Sequence, residues 1–419
     1  MRPSVLRLIL FAGLTIACDS NATSPADTIH FTSISVGHEH VCALDDQRRA
    51  WCWGSNFNGE SGIVDSLCPT ACGARPVKTD VRFTAISAGY EFTCAVAEDG
   101  TVYCWGGDIS DVLGRPTRPG PCRQGSPSVC SATPVAIAGD SKFSQVAAGL
   151  QVACAVTRDG VGKCWGDGIT VNPLAVGQKI LSYVTPFTVT LAATGDSIWS
   201  SFGASAEYHT CGVTRQQQVA CWGENYYGEA GVGSVGSKLV SPTPVAAPGS
   251  LHGVVNGINF SCALDATGNA YCWGYIANAA LGFGPLPSGS TPCFFSSSPS
   301  PCYPTPTKVV GGLTFTMLAA GDTHVCGLLA SGEVYCWGQS RSGAAGVNSL
   351  APSYLFQPTQ VGGGQRFASI AAGGRNTCGV TADGQAWCWG EAIQGEVGNV
   401  GQLFTGFYLP VRVLPRQLP

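Results

Sequence analysis

Cysteine is the reactive residue this sequence uses most, at 21 of 419 positions. The tripeptide Cys-Trp-Gly occurs seven times, at Cys52, Cys104, Cys164, Cys221, Cys272, Cys336 and Cys388. Ten residues before each stands another cysteine, at Cys42, Cys94, Cys154, Cys211, Cys262, Cys326 and Cys378. The chemistry open to such pairs is disulfide formation in an oxidising compartment, or metal ligation. Six further cysteines fall in pairs within single loops: Cys68 with Cys72, Cys122 with Cys130, and Cys293 with Cys302. Their spacings, without a matching His or Cys-x-x-Cys partner, fit zinc poorly. Ten disulfides are therefore expected, with Cys18 left over.

Acid–base chemistry has fewer carriers. Six histidines are present: His30, His38, His40, His209, His252 and His324. His40, His209 and His324 share one repeat position, two before the first cysteine, which other repeats fill with Phe92, Val152, Phe260 or Asn376. An interchangeable slot points to packing or turn bonding rather than to a catalytic base. No nucleophile elbow, phosphate loop or zinc-protease motif is present. Carboxylates are scattered, so a paired-carboxylate hydrolase or lyase remains the enzymatic alternative. The expectation is a non-enzyme with no cofactor.

What positions the cysteines is a repeated hairpin. The distance between successive Cys-Trp-Gly copies varies from 51 to 64 residues while the spacing inside each pair is constant, as rigid units on variable loops require. Five hairpin centres end in glycine, at Gly100, Gly160, Gly268, Gly332 and Gly384, as a three-residue loop with a glycine bulge demands. Arg48 and Gln217 replace that glycine, so a different turn is expected in the first and fourth units. This loop sets the cysteines opposite each other, with Cα atoms expected about 4.5–5.5 Å apart. The invariant Trp shares one face with a small residue such as Ala43, and the cystine shares the other with an aliphatic such as Leu44. Two apolar faces mean that each sheet is covered on both sides.

A Phe-x-x-Ile strand precedes the hairpins, as at Phe31 and Ile34, and a proline-led strand follows, as at Pro76 and Pro134. Blade four departs, with Ser200 in the Phe slot and Ala206 in the Gly slot. The predicted fold is all-β: a seven-bladed β-propeller of four-stranded antiparallel blades over residues 29–414. Because the chain starts on the first strand type and ends on the last, the N- and C-terminal strands are expected to share a blade and close the ring. Residues 415–419 are a C-terminal tail.

Composition agrees. Glycine at 56 and proline at 26 favour turns over helices, and 11% charged residues with a net charge of −4 give nothing to hold phosphates, so no nucleic acid partner is expected. Arg2, Arg7 and the apolar stretch Leu8 to Ala17 form a signal peptide over 1–17, too short to cross a bilayer.

The repeat residues resemble the regulator of chromosome condensation repeat family. His-x-Cys-Ala-Leu, Asp-Gly, Tyr-Cys-Trp-Gly and Asn-x-x-Gly-x-x-Gly carry the likeness, clearest at His324 to Gly338 and at Asn225, Gly228 and Gly231. The paired cysteines look like a secreted bacterial branch. The resemblance implies a propeller that binds proteins. The founder's nucleotide exchange on a nuclear GTPase is not expected here, since export and disulfides contradict a nuclear role. Leu14 to Cys18 resembles a bacterial lipoprotein box, which implies lipidation of Cys18 and a tether over 18–28. Thr15 departs from that box, and plain cleavage near Ala17 is the alternative. The membrane is then reached only through this anchor, in a cell-envelope or extracellular protein expected to be monomeric.

Successive turns of a meander alternate between two rims, so the long loops after Cys-Trp-Gly share one rim. Its aromatics are Phe57, Tyr226, Tyr227, Phe283, Phe294, Phe295, Tyr303, Tyr354, Phe356, Phe404, Phe407 and Tyr408. Stapled loops rich in Tyr, Ser, Gly and Asn suit recognition of an unknown protein or glycan. The competing readings are aromatics that merely cap the rim, and a passive surface scaffold.

Overall fold

The computed structural model describes residues 29–63, 71–115, 129–167, 182–191, 194–203, 209–236, 238–275, 279–284, 290–293, 300–348, 352–398 and 406–415. The signal peptide, Cys18 and its tether, Cys68, Cys122, Phe294, Phe295, Phe404 and the tail beyond 415 lie outside them. Among the described residues, 29 strands form seven antiparallel sheets. Blade one shows the plan: Phe31–Val36, His40–Asp45, Ala50–Ser55 and Ala71–Pro76, hydrogen-bonded in that order. The first strand of each blade packs against first strands of its neighbours, so it lies innermost. Blade five gains a fifth strand, Thr291–Cys293, stapled to the outer strand by the Cys293–Cys302 disulfide.

The hairpin register is as the cysteine spacing predicts. Cys42 faces Cys52, and the same pairing recurs in all seven blades. All seven pairs are disulfides with Cα atoms 4.0–4.2 Å apart, tighter than the 4.5–5.5 Å expected. Cys130 is also disulfide-bonded. Cys72 is buried in the outer strand of blade one. The seven turns are alike, which corrects the expectation for blades one and four. Arg48 (φ 60°) and Gln217 (φ 59°) take the left-handed conformation that glycine takes at Gly100 (φ 87°) and its counterparts. These two side chains accept backbone strain to keep the turn.

Both hairpin faces are buried, one against each neighbouring blade. Cys42, Leu44, Ala50 and Cys52 of blade one pack with Phe83, Ala95 and Trp105 of blade two. Cys378, Val380, Ala386 and Cys388 of blade seven pack with Phe31, Trp51 and Trp53 of blade one. All seven Cys-Trp-Gly tryptophans are under 2% exposed. Each buries about 150–250 Å², an upper bound of roughly 4–6 kcal/mol at about 25 cal/mol/Å².

The seam between blades seven and one corrects the closure expectation. No strand is exchanged: blade one is four consecutive N-terminal strands, and blade seven is Phe367–Gly373, Asn376–Thr381, Ala386–Gly390 and Phe407–Arg412. A chain that begins on an innermost strand and ends on an outermost one already holds whole blades, so nothing is left to share. The seam closes by ordinary blade-to-blade contacts. Phe31 N–H donates to Gly384 O at 2.8 Å, and Trp53 Nε1–H donates to Glu396 O at 2.8 Å.

Blade four holds a second correction. Trp199 pairs with Thr214 as Phe31 pairs with Asp45, so Trp199 fills the aromatic slot and Ser200 does not replace it. Ala206 lies outside the described residues.

Candidate functional site

The loops that follow Cys-Trp-Gly are pinned at one position and open at another. The pinned position is a backbone carbonyl eight residues past the Cys of Cys-Trp-Gly. In several blades it accepts the indole N–H of the next blade, Trp165 to Val112 O at 2.8 Å, Trp273 to Glu229 O at 2.9 Å and Trp337 to Ala280 O at 2.8 Å, whereas the indoles of Trp105 and Trp389 make no such bond. Buried Glu side chains at this position in three blades tighten the loop further. Glu60, Glu229 and Glu396 each accept the N–H two residues back, from Asn58, Tyr227 and Gln394 at 2.7, 2.7 and 2.8 Å. Burial raises all three carboxyls, Glu229 and Glu396 to about 7, against the opposing pull of these backbone donors.

The open position lies three residues nearer the Cys-Trp-Gly, at the loop tip. It carries Phe57 (52% exposed), Ile109 (41%) and Ile393 (53%), with half-buried Tyr226 and exposed Arg341 at the same register. Residue-by-residue reading for aromatics finds Phe57 and Tyr226 but passes over Ile109, Arg341 and Ile393. The signal that finds them is the repeat position itself, counted from each Cys-Trp-Gly. The other described rim aromatics divide. Phe356 is exposed, while Tyr227, Tyr354, Phe407 and Tyr408 are half-buried. Tyr227 packs on Tyr275 at 4.8 Å, Arg341 lies 5.4 Å over Tyr354, and the Tyr408 hydroxyl donates to Arg341 O at 3.2 Å. Tyr303 and Phe283 are 3% and 4% exposed and meet edge-on at 5.0 Å, so these two are core and not recognition surface.

The repeated histidines are structural. Nε2 of His40, His209 and His324 lies 2.7, 3.0 and 2.8 Å from the hydroxyls of Thr93, Ser261 and Thr377 in the following blade. Each hydroxyl in turn donates to the pinned carbonyl, of Glu60, Glu229 or Ala344, at 3.0, 3.0 and 2.9 Å. With its proton committed there, the hydroxyl can only accept from the ring, which fixes the neutral Nε2–H tautomer. Burial depresses the rings to about 3, 4 and 4, so they stay neutral at physiological pH. Where the slot is Phe92 or Phe260, the following blade offers Ala153 or Val325 instead of a hydroxyl.

On the same rim, the channel mouth forms a recess enclosing about 380 Å³ of empty space that includes open solvent. Glycines just past the inner strands make it narrow: a Cβ on Gly37 would stand 2.3 Å from Gly89 O, and one on Gly89 would stand 2.6 Å from Gly149 O. Turns link round the mouth through His38 N–H to Gly89 O (3.1 Å), Tyr90 N–H to Gly149 O (3.0 Å) and Asp322 N–H to Gly374 O (2.9 Å). His38 Nε2 pairs with Asp322 at 3.2 Å, and the ring stacks on Tyr90 at 4.2 Å. Burial disfavours the charged ring, but the hydrogen bond and charge of Asp322 outweigh it and raise the His38 pKa. Burial and the repulsion of Glu39 raise the pKa of the neighbouring Glu91. Among the described residues, no group of three His, Cys, Asp or Glu side chains is placed to hold a metal ion.

Comparison with known proteins agrees with the repeat plan. A family model described as "Regulator of chromosome condensation (RCC1) repeat" matches residues 31–60, 83–108, 201–229, 318–344 and 367–393. The Ultraviolet-B receptor UVR8 of Arabidopsis thaliana is 23% identical over 382 residues, covering 87% of this chain and 78% of that protein. The E3 ubiquitin-protein ligase HERC2 of Homo sapiens is 32% identical over 182 residues, 42% of this chain but 4% of that much longer protein. The structure of Prp20p from Saccharomyces cerevisiae, described with its binding properties to Gsp1p and histones, superposes with a TM-score of 0.66 at 21% identity, covering 82% of this chain and 80% of that one. At that identity the likeness is one of fold.

Proposed function

This chain is a propeller of RCC1 repeats, and we propose that it is a binding module that engages a protein partner through the loop tips following Cys-Trp-Gly. One observation carries the reading: a single repeat position places exposed Phe57, Ile109 and Ile393 on one rim, with Tyr226 and Arg341 in register. Aliphatic side chains among the aromatics favour a protein surface over a glycan, which is gripped by flat rings. The loop bases are clamped to the next blade by indole and hydroxyl donors, so the tips are held ready and little ordering cost opposes binding. Prp20p, described with Gsp1p and histones, is a precedent for protein binding on this fold.

The reading also has the protein exported and held by lipid on Cys18. Support comes from the basic and apolar N-terminal segment and from cystines in every blade, which form and persist in oxidising compartments. Intact mass of the exported form tests it; an unprocessed N-terminus would end it.

Photo-crosslinking tests the rim. A photoreactive residue at 57 or 393 is expected to capture the partner, and one at 99 or 331 on the opposite rim is not. With the purified partner, Phe57→Ala combined with Ile393→Ala is expected to weaken binding by about tenfold or more, since central apolar anchors carry about 1 kcal/mol or more each. Capture from both rims alike, or unchanged affinity, would refute the assignment. A glycan that binds and is lost in the same double variant would move the reading to carbohydrate.

A further inference from the structure

Among the described residues, one polar side chain breaks an otherwise apolar ring around the channel. The position just inside the mouth, facing the residue before each first hairpin cysteine, is Val36, Ala88, Ala148, Ala320 and Ala372 in five blades. In blade five it is Asn256, which faces Ser261. All six line the recess at the mouth. Asn256 is 4% exposed, yet neither its Oδ1 nor its Nδ2 has a hydrogen-bond partner. Room for the amide is left by Gly203 of blade four, where a Cβ would stand 2.9 Å from Nδ2. A buried amide without partners is destabilising, typically by more than a made hydrogen bond returns. Alanine, which four other blades use here, would avoid that cost.

An occupant that satisfies both atoms must offer an acceptor and a donor side by side. A carboxamide does so, accepting from Nδ2–H and donating N–H to Oδ1. A carboxylate offers acceptors only, so it would leave Asn256 Oδ1 without a donor. The small apolar ring disfavours a fully charged ammonium, which would lose its hydration there. We propose that the channel mouth is a binding site for a neutral amide group, read by Asn256 through a paired donor and acceptor. This site stands independently of the loop-tip reading. The amide can belong to a small molecule or to an Asn or Gln side chain that a partner inserts.

The experiment uses the mature oxidised propeller and two probes, propionamide and its carboxylate counterpart propionate. The Asn256 side-chain NH2 resonances are followed by NMR on titration up to about 100 mM, a range suited to the weak affinity of a ligand with few atoms. A saturable shift with propionamide is expected, with propionate at least about fivefold weaker. Asn256→Ala should abolish the shifts that propionamide induces elsewhere at the mouth while leaving the unliganded protein as stable as wild type or more stable. The proposal is overturned by a response linear in probe, by equal binding of the two probes, or by Asn256→Ala lowering the melting temperature, which would show that the amide is already satisfied. The source is read separately. An Asn256→Ala variant that loses affinity for a loop-tip partner assigns the amide to that partner. Unchanged partner affinity with lost propionamide binding assigns it to a small molecule.

Discussion

Replacing Glu229 with Gln should stabilise the protein at alkaline pH and leave it unchanged in acid. Glu229 is 1% exposed, and burial lifts its pKa from 4.5 to about 7. A carboxyl raised on folding adds stability that is complete below its unfolded value and is lost as pH rises through the folded one. At about 1.4 kcal/mol per pKa unit, a shift of about 2.5 units costs the native state on the order of 3 kcal/mol above pH 7. Gln cannot ionise, and its carbonyl can still accept the Tyr227 N–H that now reaches Glu229 at 2.7 Å. The difference between Glu229→Gln and wild type should therefore be near zero at pH 4, climb between pH 4.5 and 7, and level off at about 3 kcal/mol. Urea unfolding of the oxidised proteins at fixed pH values measures it. The buried histidines titrate in the opposite sense, losing stability as pH falls below 6.5 toward about 3 to 4, but they cancel in the comparison. A difference that does not change with pH would refute the reasoning, because it would place an ionised carboxylate or a solvated one at the loop base.

Three other outcomes follow from the packing. Thr377→Val should cost about 1–3 kcal/mol by stranding the His324 Nε2–H, and His324→Phe added to it should recover at least about 1 kcal/mol, since phenylalanine beside an apolar partner is what blades two and five use; strict additivity in the four-way comparison would contradict the pairing. Gly89→Ala should lower the thermal midpoint through the carbonyl of Gly149, 2.6 Å from the new Cβ, and a wild-type midpoint would mean the channel wall gives way freely. The hairpin cystines, of which Cys262–Cys272 is 0% exposed, should resist mild reductant until the protein unfolds, so that thiol labelling tracks unfolding; labelling of that pair in the native state would break the assignment of its register.

The hairpin was readable because its information is local. Ten residues between cysteines, a turn between them and alternation on either side determine which side chains face each other. Pairing of the inner strand with its hairpin is less local, because the turn that joins them varies in length. Blade four has one residue more than the others between the aromatic and the first cysteine, 12 positions from Trp199 to Cys211 against 11 from Phe31 to Cys42, so a count anchored on the cysteine lands on Ser200. Blade five lacks the aromatic altogether, with Leu251 in the slot, so the Phe-x-x-Ile pattern marks neither its inner strand nor Asn256. The link from His40 to Thr93 could have been found, since a histidine in one repeat coincides with a hydroxyl before the first cysteine of the next. The burial of Tyr303 could not, because it depends on how the stapled loop of blade five folds over Phe283.

Because every sector of the wheel comes from one unbroken stretch of chain, the place where the polypeptide starts is arbitrary. The first and last sectors in the chain are neighbours, joined at the seam where Phe31 N–H donates to Gly384 O. A circular permutant that joins the old ends and opens between any two sectors would lose no strand pairing. Duplicating or deleting one sector would change only the circumference, and the interface that must absorb the change is the same apolar contact everywhere round the ring.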